Sequence, residues 1–384
     1  MTQSTPSPDL RTCTRCILDT HDDPAISFDD AGVCNHCRRY DRFERDLVPP
    51  AAEARRQLDT MVAQIKEAGR GRRYDSLIGL SGGVDSSYLA WIAKREGLRP
   101  LAIHFDNGWN SELAVSNIEG IVSKLGFDLR TYVINWTEFK DLQLAYLKAS
   151  VVDIEAITDH AIIASMWRIA SEEGIPHILS GTNVVTEAVL PSTWIHNKTD
   201  HVNIKAIHHE FGSVPLKTFP FFGWWQKNYY QYLRRIRSVA PLNLVPYLKD
   251  DAKRVITEEL GWRDYGGKHY ESVWTRFYQG HILPTKFGID KRKAHLSNLI
   301  CSRQLTREEA LNELAKPGYD GVLEREDMAF VLNKLGLSPE EWAALMARPP
   351  RKHTEFAVEG KLTDAYPLLK PLRPIAQLLR RRAG

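Results

Sequence analysis

The sequence predicts an α/β fold built on a Rossmann-like, doubly wound parallel sheet, and three observations support this class. Short apolar runs that suit buried strands alternate with segments of helical periodicity between residues 74 and 179. A glycine-rich turn joins the first such strand to the first helix. The chain has 384 residues, 43% of them hydrophobic, which is enough to bury a large core. Ligands of doubly wound sheets bind at the carboxyl ends of the strands, so the site is expected there.

Changes in composition along the chain predict its division into units. Four of the five cysteines precede residue 38, a charged helical segment with its helix at 51–68 follows, and capping boxes begin at Thr306 and Ser338. The predicted units are a zinc-binding knuckle at 1–45, a helical linker at 46–73, the α/β domain at 74–215, a helical and basic substrate-binding extension at 216–305, and a small helical C-terminal region with a basic tail at 306–384.

The cysteines near the N-terminus form two Cys-x-x-Cys pairs separated by seventeen residues. This spacing is typical of a tetrahedral zinc site that orders a segment too short to have a core of its own. Four thiolates fill the coordination sphere, so we expect a structural Zn²⁺; an iron–sulfur cluster and unmetallated thiols are the alternatives. The predicted ligands are Cys13, Cys16, Cys34 and Cys37.

The predicted sheet begins at residue 74, and its strands alternate with helices, two of which precede the fourth strand. Its strands are expected at 74–80, 99–105, 129–134 and 176–179, and its helices at 86–96, 111–125, 139–148 and 157–173.

The turn after the first strand has the composition of a phosphate-binding loop. Its two glycines let the backbone approach an anion, and the first N–H groups of the next helix lack intrahelical partners. Serine hydroxyls add donors, and an aspartate beside a polyphosphate needs a cation, which we expect to be Mg²⁺. The turn lacks the features of a Walker A loop and of the dinucleotide fingerprint. The candidate residues are Ser81, Gly82, Gly83, Val84, Asp85, Ser86 and Ser87.

This turn resembles the PP-loop, Ser-Gly-Gly-x-Asp-Ser, of the ATP pyrophosphatases. The resemblance implies that the loop grips the β- and γ-phosphates of ATP as a leaving pyrophosphate, while AMP passes to an oxygen of the second substrate. A serine- and glycine-rich turn without a ligand is the alternative.

Polar residues also follow the second and fourth predicted strands. His104 and Asp106 end the second strand, where adenine and ribose would lie. In PP-loop amide-forming ligases a Gly-Thr segment followed by an acid stands after the fourth strand; here Gly181, Thr182 and Glu187 match it, so Glu187 resembles their second Mg²⁺ ligand. Asp106 is the alternative ligand, and Glu187 as a solvated loop acid is the alternative role.

A cation-rich segment at residues 286–293 lies among apolar residues. Cations near developing phosphate charge stabilise a transition state, so this segment is expected to close over pyrophosphate or to bind an acidic substrate. A solvated helix face is the alternative. The candidate residues are Lys286, Lys291 and Arg292, and with Ser81 and Asp85 they form the predicted catalytic set.

The charge balance and hydropathy bound the function class. A net charge of +3 argues against a dedicated nucleic-acid-binding protein. The N-terminus lacks a signal peptide, and no apolar run approaches the roughly 20 residues of a membrane span. We therefore expect a cytoplasmic protein with no transmembrane span and no nucleic-acid partner.

From residue 11 to about residue 320 the chain resembles the N-acetyl sugar amidotransferases of bacterial LPS O-antigen and surface-polysaccharide biosynthesis. The resemblance rests on Cys-Thr-Arg-Cys-Ile-Leu-Asp-Thr at 13–20, Gly-Val-Cys-Asn-His-Cys at 32–37, the PP-loop, and Phe-Gly-Ile-Asp-Lys-Arg-Lys-Ala-His-Leu-Ser-Asn-Leu-Ile at 287–300. It implies ATP-dependent conversion of an acetamido group on a UDP-linked N-acetyl sugar, typically a diacetamido uronic acid, into an acetamidino group. It also implies ammonia from a separate glutaminase subunit and a cyclase-like subunit related to imidazole glycerol phosphate synthase.

A PP-loop tRNA thiolase is the alternative function. Such enzymes need a cysteine that carries or resolves a persulfide, or a cluster, and here only Cys301 remains once the paired cysteines bind metal. We expect Cys301 to be a small buried residue. Because only one cysteine remains, the sequence favours ammonia over sulfur as the nucleophile.

Overall fold

The structure is a computed structural model that describes residues 10–267 and 270–360. The predicted basic tail, the first nine residues of the predicted knuckle, and residues 268 and 269 lie outside the described residues.

Five parallel strands form one sheet in the order β3-β2-β1-β4-β5. They are β1 (Ser76–Gly79), β2 (Pro100–Asp106), β3 (Leu129–Val133), β4 (His177–Leu179) and β5 (Arg237–Val239). The chain winds outward from β1 in one direction through β2 and β3, then returns to place β4 on the other side of β1. The carboxyl ends of β1 and β4 therefore flank the switch point at which such sheets bind ligands. The predicted fold class is confirmed.

The fifth strand was not expected from the sequence. It has three residues, two of them exposed, and it shows neither an apolar run nor a clear alternation. It pairs with β4 through all three residues. Because β5 follows residue 215, the sheet extends beyond the expected end of the α/β domain.

Sixteen α-helices occur in the described part of the chain. They are α1 (Asn35–Leu47), α2 (Ala51–Ala68), α3 (Val84–Arg95), α4 (Glu112–Leu125), α5 (Trp136–Ala149), α6 (Ala156–Glu172), α7 (Val184–Glu187), α8 (His201–Phe211), α9 (Trp224–Asn228), α10 (Lys249–Leu260), α11 (Val273–Phe277), α12 (Leu283–Phe287), α13 (Lys291–Cys301), α14 (Arg307–Leu314), α15 (Gly321–Leu335) and α16 (Pro339–Ala347). Single π-helical turns continue α9 (Tyr229–Leu233) and α11 (Tyr278–Ile282). The capping boxes at Thr306 and Ser338 are formed as predicted.

Consecutive residues of β1 pack on opposite faces of the sheet, as strand geometry requires. Ile78 joins a core made with α2, α3, α4 and α10. Leu77 joins a second core in which α6 contributes Trp167 and Ile169. The sheet is therefore covered on both faces, which is the expected state of a parallel sheet.

The largest core lies beside the sheet and unites parts of the chain that are far apart in sequence. It contains the four N-terminal cysteines and buried residues of α5, α8, α11, α13, α15 and α16. The knuckle, the extension and the C-terminal region thus share one apolar core. Among the described residues, no helix combines the length and apolar character that crossing a membrane requires.

Candidate active site

The turn between β1 and α3 is shaped by hydrogen bonds among its own atoms. Ser81 Oγ accepts from the Gly83 N–H at 3.2 Å, and Ser86 and Ser87 donate to the Gly83 carbonyl at 3.1 and 2.7 Å. Gly82 has φ +82°, and a Cβ there would lie 2.6 Å from the hydroxyl oxygen of Tyr265. Only glycine fits this position without displacing a neighbour.

Two aromatic side chains fix the direction of the Gly82 carbonyl. Trp262 donates to it from its indole N–H at 2.7 Å, and Tyr265 donates from its hydroxyl at 2.8 Å. Helix α3 then begins at Val84, and its N-cap Gly83 supplies no side-chain cap. The helices α4 and α5, by contrast, are capped by Ser111 and Asn135. The first N–H groups of α3 are therefore available to an anion, together with the positive end of the helix dipole.

The negative charges of Asp85 and Glu187 both act on Tyr247. Tyr247 donates a hydrogen bond to Oδ1 of Asp85. Burial raises the pKa of Tyr247 well above its usual value, and the negative charges of Asp85 and Glu187 raise it further. The hydroxyl consequently stays protonated and serves as a donor to Asp85. Two carboxylates beside a phosphate-binding turn suit Mg²⁺, which takes one or two protein oxygens and keeps several waters.

Backbone contacts bring the end of β4 against α3 and hold Glu187 in place. A Cβ on Gly181 would lie 3.9 Å from the backbone nitrogen of Ser86. Thr182 follows, with its hydroxyl 2.9 Å from that of Ser180. Glu187 ends the short helix α7, which is capped by Asn183.

The segment just after Glu187 is clamped from two sides. Arg39 of α1 donates to the carbonyls of Ala188 and Leu190 at 3.1 and 2.5 Å. Asn298 of α13 accepts from the Val189 N–H at 2.7 Å and donates to its carbonyl at 2.9 Å. The knuckle and α13 thereby set the position of α7 and of its carboxylate.

A cavity of about 480 Å³ adjoins the turn. One wall is the edge of the sheet, another is an apolar side of α6, and the third comes from residues 271–291. Representative residues of these three walls are Ser81, His104 and Gly181; Ile163, Met166 and Trp167; and Glu271, Thr275, Gln279 and Lys291. The cavity combines an apolar side with a polar side that carries three carboxylates, Glu155, Asp159 and Glu271, and one cation, Lys291, as pockets for partly polar ligands do.

His104 and Asp106 belong to one hydrogen-bond chain at the end of β2. His104 Nδ1 lies 3.3 Å from the Leu80 carbonyl, so Nδ1 carries the proton and Nε2 accepts from the amide of Asn110 at 3.2 Å. Asn110 also donates to Asp106 at 3.3 Å. His104 and Asn110 line the cavity, whereas Asp106 supports them from outside its lining.

The three predicted catalytic cations lie in different surroundings. Lys291 lines the cavity, and it makes no hydrogen bond or ion pair with the residues that the structure describes. Lys286 instead donates to the carbonyls of Leu345, Met346 and Arg348 at 2.7 to 3.1 Å, at the end of α16.

Arg292 also points away from the cavity. It pairs with Asp290 at 2.7 Å and donates to the carbonyls of Leu314 and Lys316. The structure therefore separates Lys286 and Arg292, whose donors bind protein oxygens, from Lys291. Their side chains tie the extension to the C-terminal region.

The four predicted metal ligands meet in a buried cluster whose Sγ atoms all lie within 4.8 Å of one another. The Cys13–Cys37 and Cys16–Cys34 Sγ distances are 3.9 and 3.7 Å. A tetrahedron with zinc–sulfur bonds of about 2.3 Å has edges of about 3.8 Å, so the cluster is compatible with zinc. Backbone N–H groups of Cys16 and Cys34 point at Cys13 Sγ at 3.4 and 3.3 Å and favour the thiolate.

Cys301 is buried, as expected, but it is not isolated. Its Sγ lies 3.6 Å from that of Cys37 at the edge of the cluster. The helix that carries Lys291 into the cavity therefore ends at the cysteine cluster, a relationship that the position of one cysteine in the sequence could not reveal.

Several residues of the site were not identified from the sequence. Tyr247, Trp262 and Tyr265 contact the turn from more than 160 positions further along the chain. Of these three residues, only Tyr265 stands in a recognisable sequence pattern, because two glycines follow it. Asn110 and Gln279 line the cavity without any motif around them.

Comparisons with known proteins agree with parts of this picture. Residues 271–370 match the family described as LPS biosynthesis protein WbpG-like, C-terminal domain. A stretch of 97 residues, 25% of this chain, is 35% identical to 7-cyano-7-deazaguanine synthase of Methanospirillum hungatei JF-1. The chain spans only 39% of that relative's length.

Two solved structures show distant likeness. NH3-dependent NAD synthetase from Campylobacter jejuni subsp. jejuni NCTC 11168, in complex with the nitrate ion, has 16% identity and a TM-score of 0.27, over 34% of this chain and 58% of that chain. NMN synthetase from Francisella tularensis has 12% identity and a TM-score of 0.30, over 55% of this chain and 96% of that chain. The turn thus resembles a PP-loop, and residues 271–370 are similar to a domain of LPS biosynthesis proteins.

Proposed function

We propose that this protein is an ATP-dependent, AMP-forming amidotransferase that converts an acetamido group of a UDP-linked N-acetyl sugar into an acetamidino group. The observation that carries the proposal is the arrangement of the cavity walls. The phosphate-binding turn contributes Ser81 to one wall, and the segment matched to the WbpG-like domain contributes Lys291 to another. A nucleotide on the turn and a sugar beside that segment would share one cavity.

The proposed reaction has two steps, adenylation of the amide oxygen and displacement of AMP by ammonia. The acetamido oxygen attacks the α-phosphorus of ATP, pyrophosphate leaves, and an O-adenylyl imidate forms. Ammonia then adds to the imidate carbon, and AMP departs with the former amide oxygen. The net change replaces that oxygen by NH, with ATP consumed and AMP and pyrophosphate released. Activation is required because an amide carbonyl is a poor electrophile.

The residues near the turn have distinct roles in this proposal. The N–H groups at the start of α3 and the Ser81 and Ser86 hydroxyls bind the phosphates that leave as pyrophosphate. Asp85 and Glu187 hold Mg²⁺, which when bound neutralises charge on the departing group. Tyr247 orients Asp85 through its hydroxyl.

Lys291 is the cation proposed to bind the second substrate. It lies in the cavity and has no acidic partner among the described residues, so it can pair with an anion. A UDP-linked uronic acid offers a diphosphate and a carboxylate for that pairing. The match of residues 271–370 to an LPS biosynthesis domain supports a sugar nucleotide of this kind, and a 2,3-diacetamido uronic acid is our specific candidate.

Ammonia is proposed to come from a separate glutaminase partner, with a cyclase-like subunit that guides it. All five cysteines of the chain are buried, four of them in the metal cluster and Cys301 beside it. A buried thiol against a metal cluster is poorly placed to attack glutamine.

The experiment supplies ATP, Mg²⁺ and ammonium chloride with a panel of UDP-linked diacetamido sugars and follows pyrophosphate release and the mass of the sugar. We expect AMP formation and a sugar mass lower by the difference between O and NH. Asp85→Asn serves as the inactive control because it keeps the side-chain shape. AMP formation only with tRNA and a sulfur donor would replace this proposal with the thiolase alternative.

A further inference from the structure

The helical turns that follow residue 223 present an apolar stripe to solvent. Trp225, Tyr229, Tyr232 and Leu233 are 72%, 46%, 67% and 75% exposed. They are spaced by four, three and one residues, so they share one side of the helix formed by α9 and its π-helical turn. We call these four residues the aromatic face.

The other side of the same helix is packed on the protein. Tyr230 lies parallel to Phe222 with ring centres 6.3 Å apart and contacts Trp167 at 6.2 Å. The hydrophobic core is therefore already formed on that side. The aromatic face is a second apolar surface that folding of the described residues leaves uncovered.

The charge around the aromatic face has one sign. Between Glu210 and Asp250 the sequence contains six lysines or arginines and no acidic residue. Lys227, Arg235 and Arg237 are exposed, and none of them pairs with an acid in residues 10–267 or 270–360.

Two acidic groups near the helix that carries the aromatic face, Glu172 and Glu359, already have partners. Glu172 pairs with Arg130 at 3.0 Å and lies 3.5 Å from Arg168. Glu359 accepts from the backbone N–H of Trp224 at 3.3 Å. The surface thus combines exposed tryptophan, tyrosine and leucine with cations that nothing nearby neutralises.

We propose that the aromatic face docks on an anionic lipid surface. Tryptophan and tyrosine prefer the boundary between headgroups and acyl chains, where a ring can be buried while its polar atom stays wet. Leu233 would enter the acyl boundary, and the neighbouring lysine and arginines would contact lipid phosphates.

The composition favours a lipid surface over a protein partner. Tryptophan, tyrosine and arginine are frequent in both protein interfaces and interfacial helices, whereas lysine beside them is depleted in protein interfaces and typical of interfacial helices. The stripe is also short, because it occupies little more than about two turns of helix. A helix of that kind lies in the plane of the headgroups and does not span the bilayer.

Docking would place the cavity near the lipid surface. Trp167 lines the cavity and also contacts Tyr230 on the inner side of the docking helix. Only one layer of side chains therefore separates the aromatic face from the cavity wall.

The test is sedimentation of the full chain with vesicles that contain phosphatidylglycerol, compared with vesicles of phosphatidylcholine alone. We expect binding to the anionic vesicles that weakens as salt rises. The double variant Trp225→Ser with Leu233→Ser should lose this binding. Lys227→Gln with Arg235→Gln should weaken it about thirtyfold, since each cation near the surface contributes about 1 kcal/mol.

A matched control tests whether the location matters. Val133 is 68% exposed on β3, at the opposite edge of the sheet from β5. Val133→Ser should leave vesicle binding unchanged. The proposal is overturned if the wild-type chain binds neither type of vesicle, or if the aromatic-face variant binds as the wild type does. Self-association that this variant abolishes, without vesicle binding, would instead make the face a contact between copies.

Discussion

The hydroxyl of Tyr247 donates a hydrogen bond to Oδ1 of Asp85, joining two residues that lie 162 positions apart in the sequence. The bond occupies one oxygen of the carboxylate and orients the other. Glu187 acts on the same tyrosine and helps to raise its pKa. Tyr247 is therefore the positioning residue of the proposed magnesium site.

Replacing Tyr247 by phenylalanine should weaken the apparent affinity for Mg²⁺ by at least about tenfold, because a hydrogen bond to a charged group contributes about 1.5–3 kcal/mol. The measurement is pyrophosphate release as a function of Mg²⁺ at saturating ATP. Tyr88→Phe is the control, because the Tyr88 ring lies 5.7 Å from that of Tyr247 but its hydroxyl bonds to none of the described residues. Equal Mg²⁺ dependence in the two variants would remove Tyr247 from this role.

Gly82→Ala should impair both folding and ATP binding. The new Cβ would lie 2.6 Å from the Tyr265 hydroxyl oxygen, at a backbone φ of +82°. Gly71→Ala is the matched control, because Gly71 has φ +74° and a Cβ added there would meet nothing within 4 Å. We expect the control to cost about 1 kcal/mol of unfolding free energy and Gly82→Ala to cost clearly more. Urea denaturation measures the unfolding free energy of each variant, and ATP titration measures its affinity for ATP. Similar losses in the two variants would refute the steric argument.

Lys291 and Lys286 should respond differently to the same substitution. Lys291→Met removes the cation of the cavity, so we expect a higher KM for the sugar nucleotide with unchanged stability. Lys286→Met removes the donor to three carbonyls at the end of α16, so we expect a loss of about 1–3 kcal/mol of unfolding free energy with activity per folded molecule retained. Activity assays and denaturant unfolding on both variants distinguish the two roles. The reverse pattern would return Lys286 to the catalytic set.

The metal content should depend on Cys37 and not on Cys301. Elemental analysis is expected to find one Zn²⁺ per chain, retained in Cys301→Ser and lost in Cys37→Ser. Removing the metal should lower the unfolding free energy by several kcal/mol, because ligand binding and folding of the knuckle are coupled. Loss of zinc in the Cys301 variant would make that thiol a ligand.

Acidification should destabilise the protein through two buried histidines. Burial lowers the pKa of His353 to about 3 and that of His160 to about 4. In the unfolded chain these groups titrate near pH 6.5, at about their usual pKa, so the unfolded state binds more protons as the pH falls below that value. Their contribution to stability is complete above pH 6.5 and is lost toward pH 4.

The slope of the unfolding free energy against pH measures the contribution of these histidines directly. Each such group should contribute up to about 1.4 kcal/mol per pH unit to the dependence of the unfolding free energy. His353→Gln should reduce the slope between pH 6 and pH 4, whereas His21→Gln, at an exposed position, should not. An unchanged slope in the His353 variant would show that other groups govern acid unfolding.

The sequence predicted what is encoded locally. The turn at Gly82, the cysteine pairs and the capping boxes each depend on a few neighbouring residues, and the fold class follows from periodicity. The strand β5 escaped prediction because its three residues are ordered by pairing with β4 and not by their own pattern. The charges along the sequence could not distinguish the role of Lys291 from that of Lys286. The position of α16 decides that Lys286 donates its hydrogen bonds to backbone carbonyls.

Transfer of an oxygen atom from the sugar to AMP is the direct signature of adenylation at the acetamido group. A UDP-linked diacetamido sugar is prepared with a heavy oxygen isotope in its acetamido carbonyls and is incubated with the protein, ATP, Mg²⁺ and ammonium chloride. Adenylation of one acetamido oxygen predicts one heavy oxygen in the phosphate of AMP and the loss of one of the two labelled oxygens from the sugar. Label that stays entirely in the sugar, or that appears in pyrophosphate, would contradict adenylation of the acetamido oxygen.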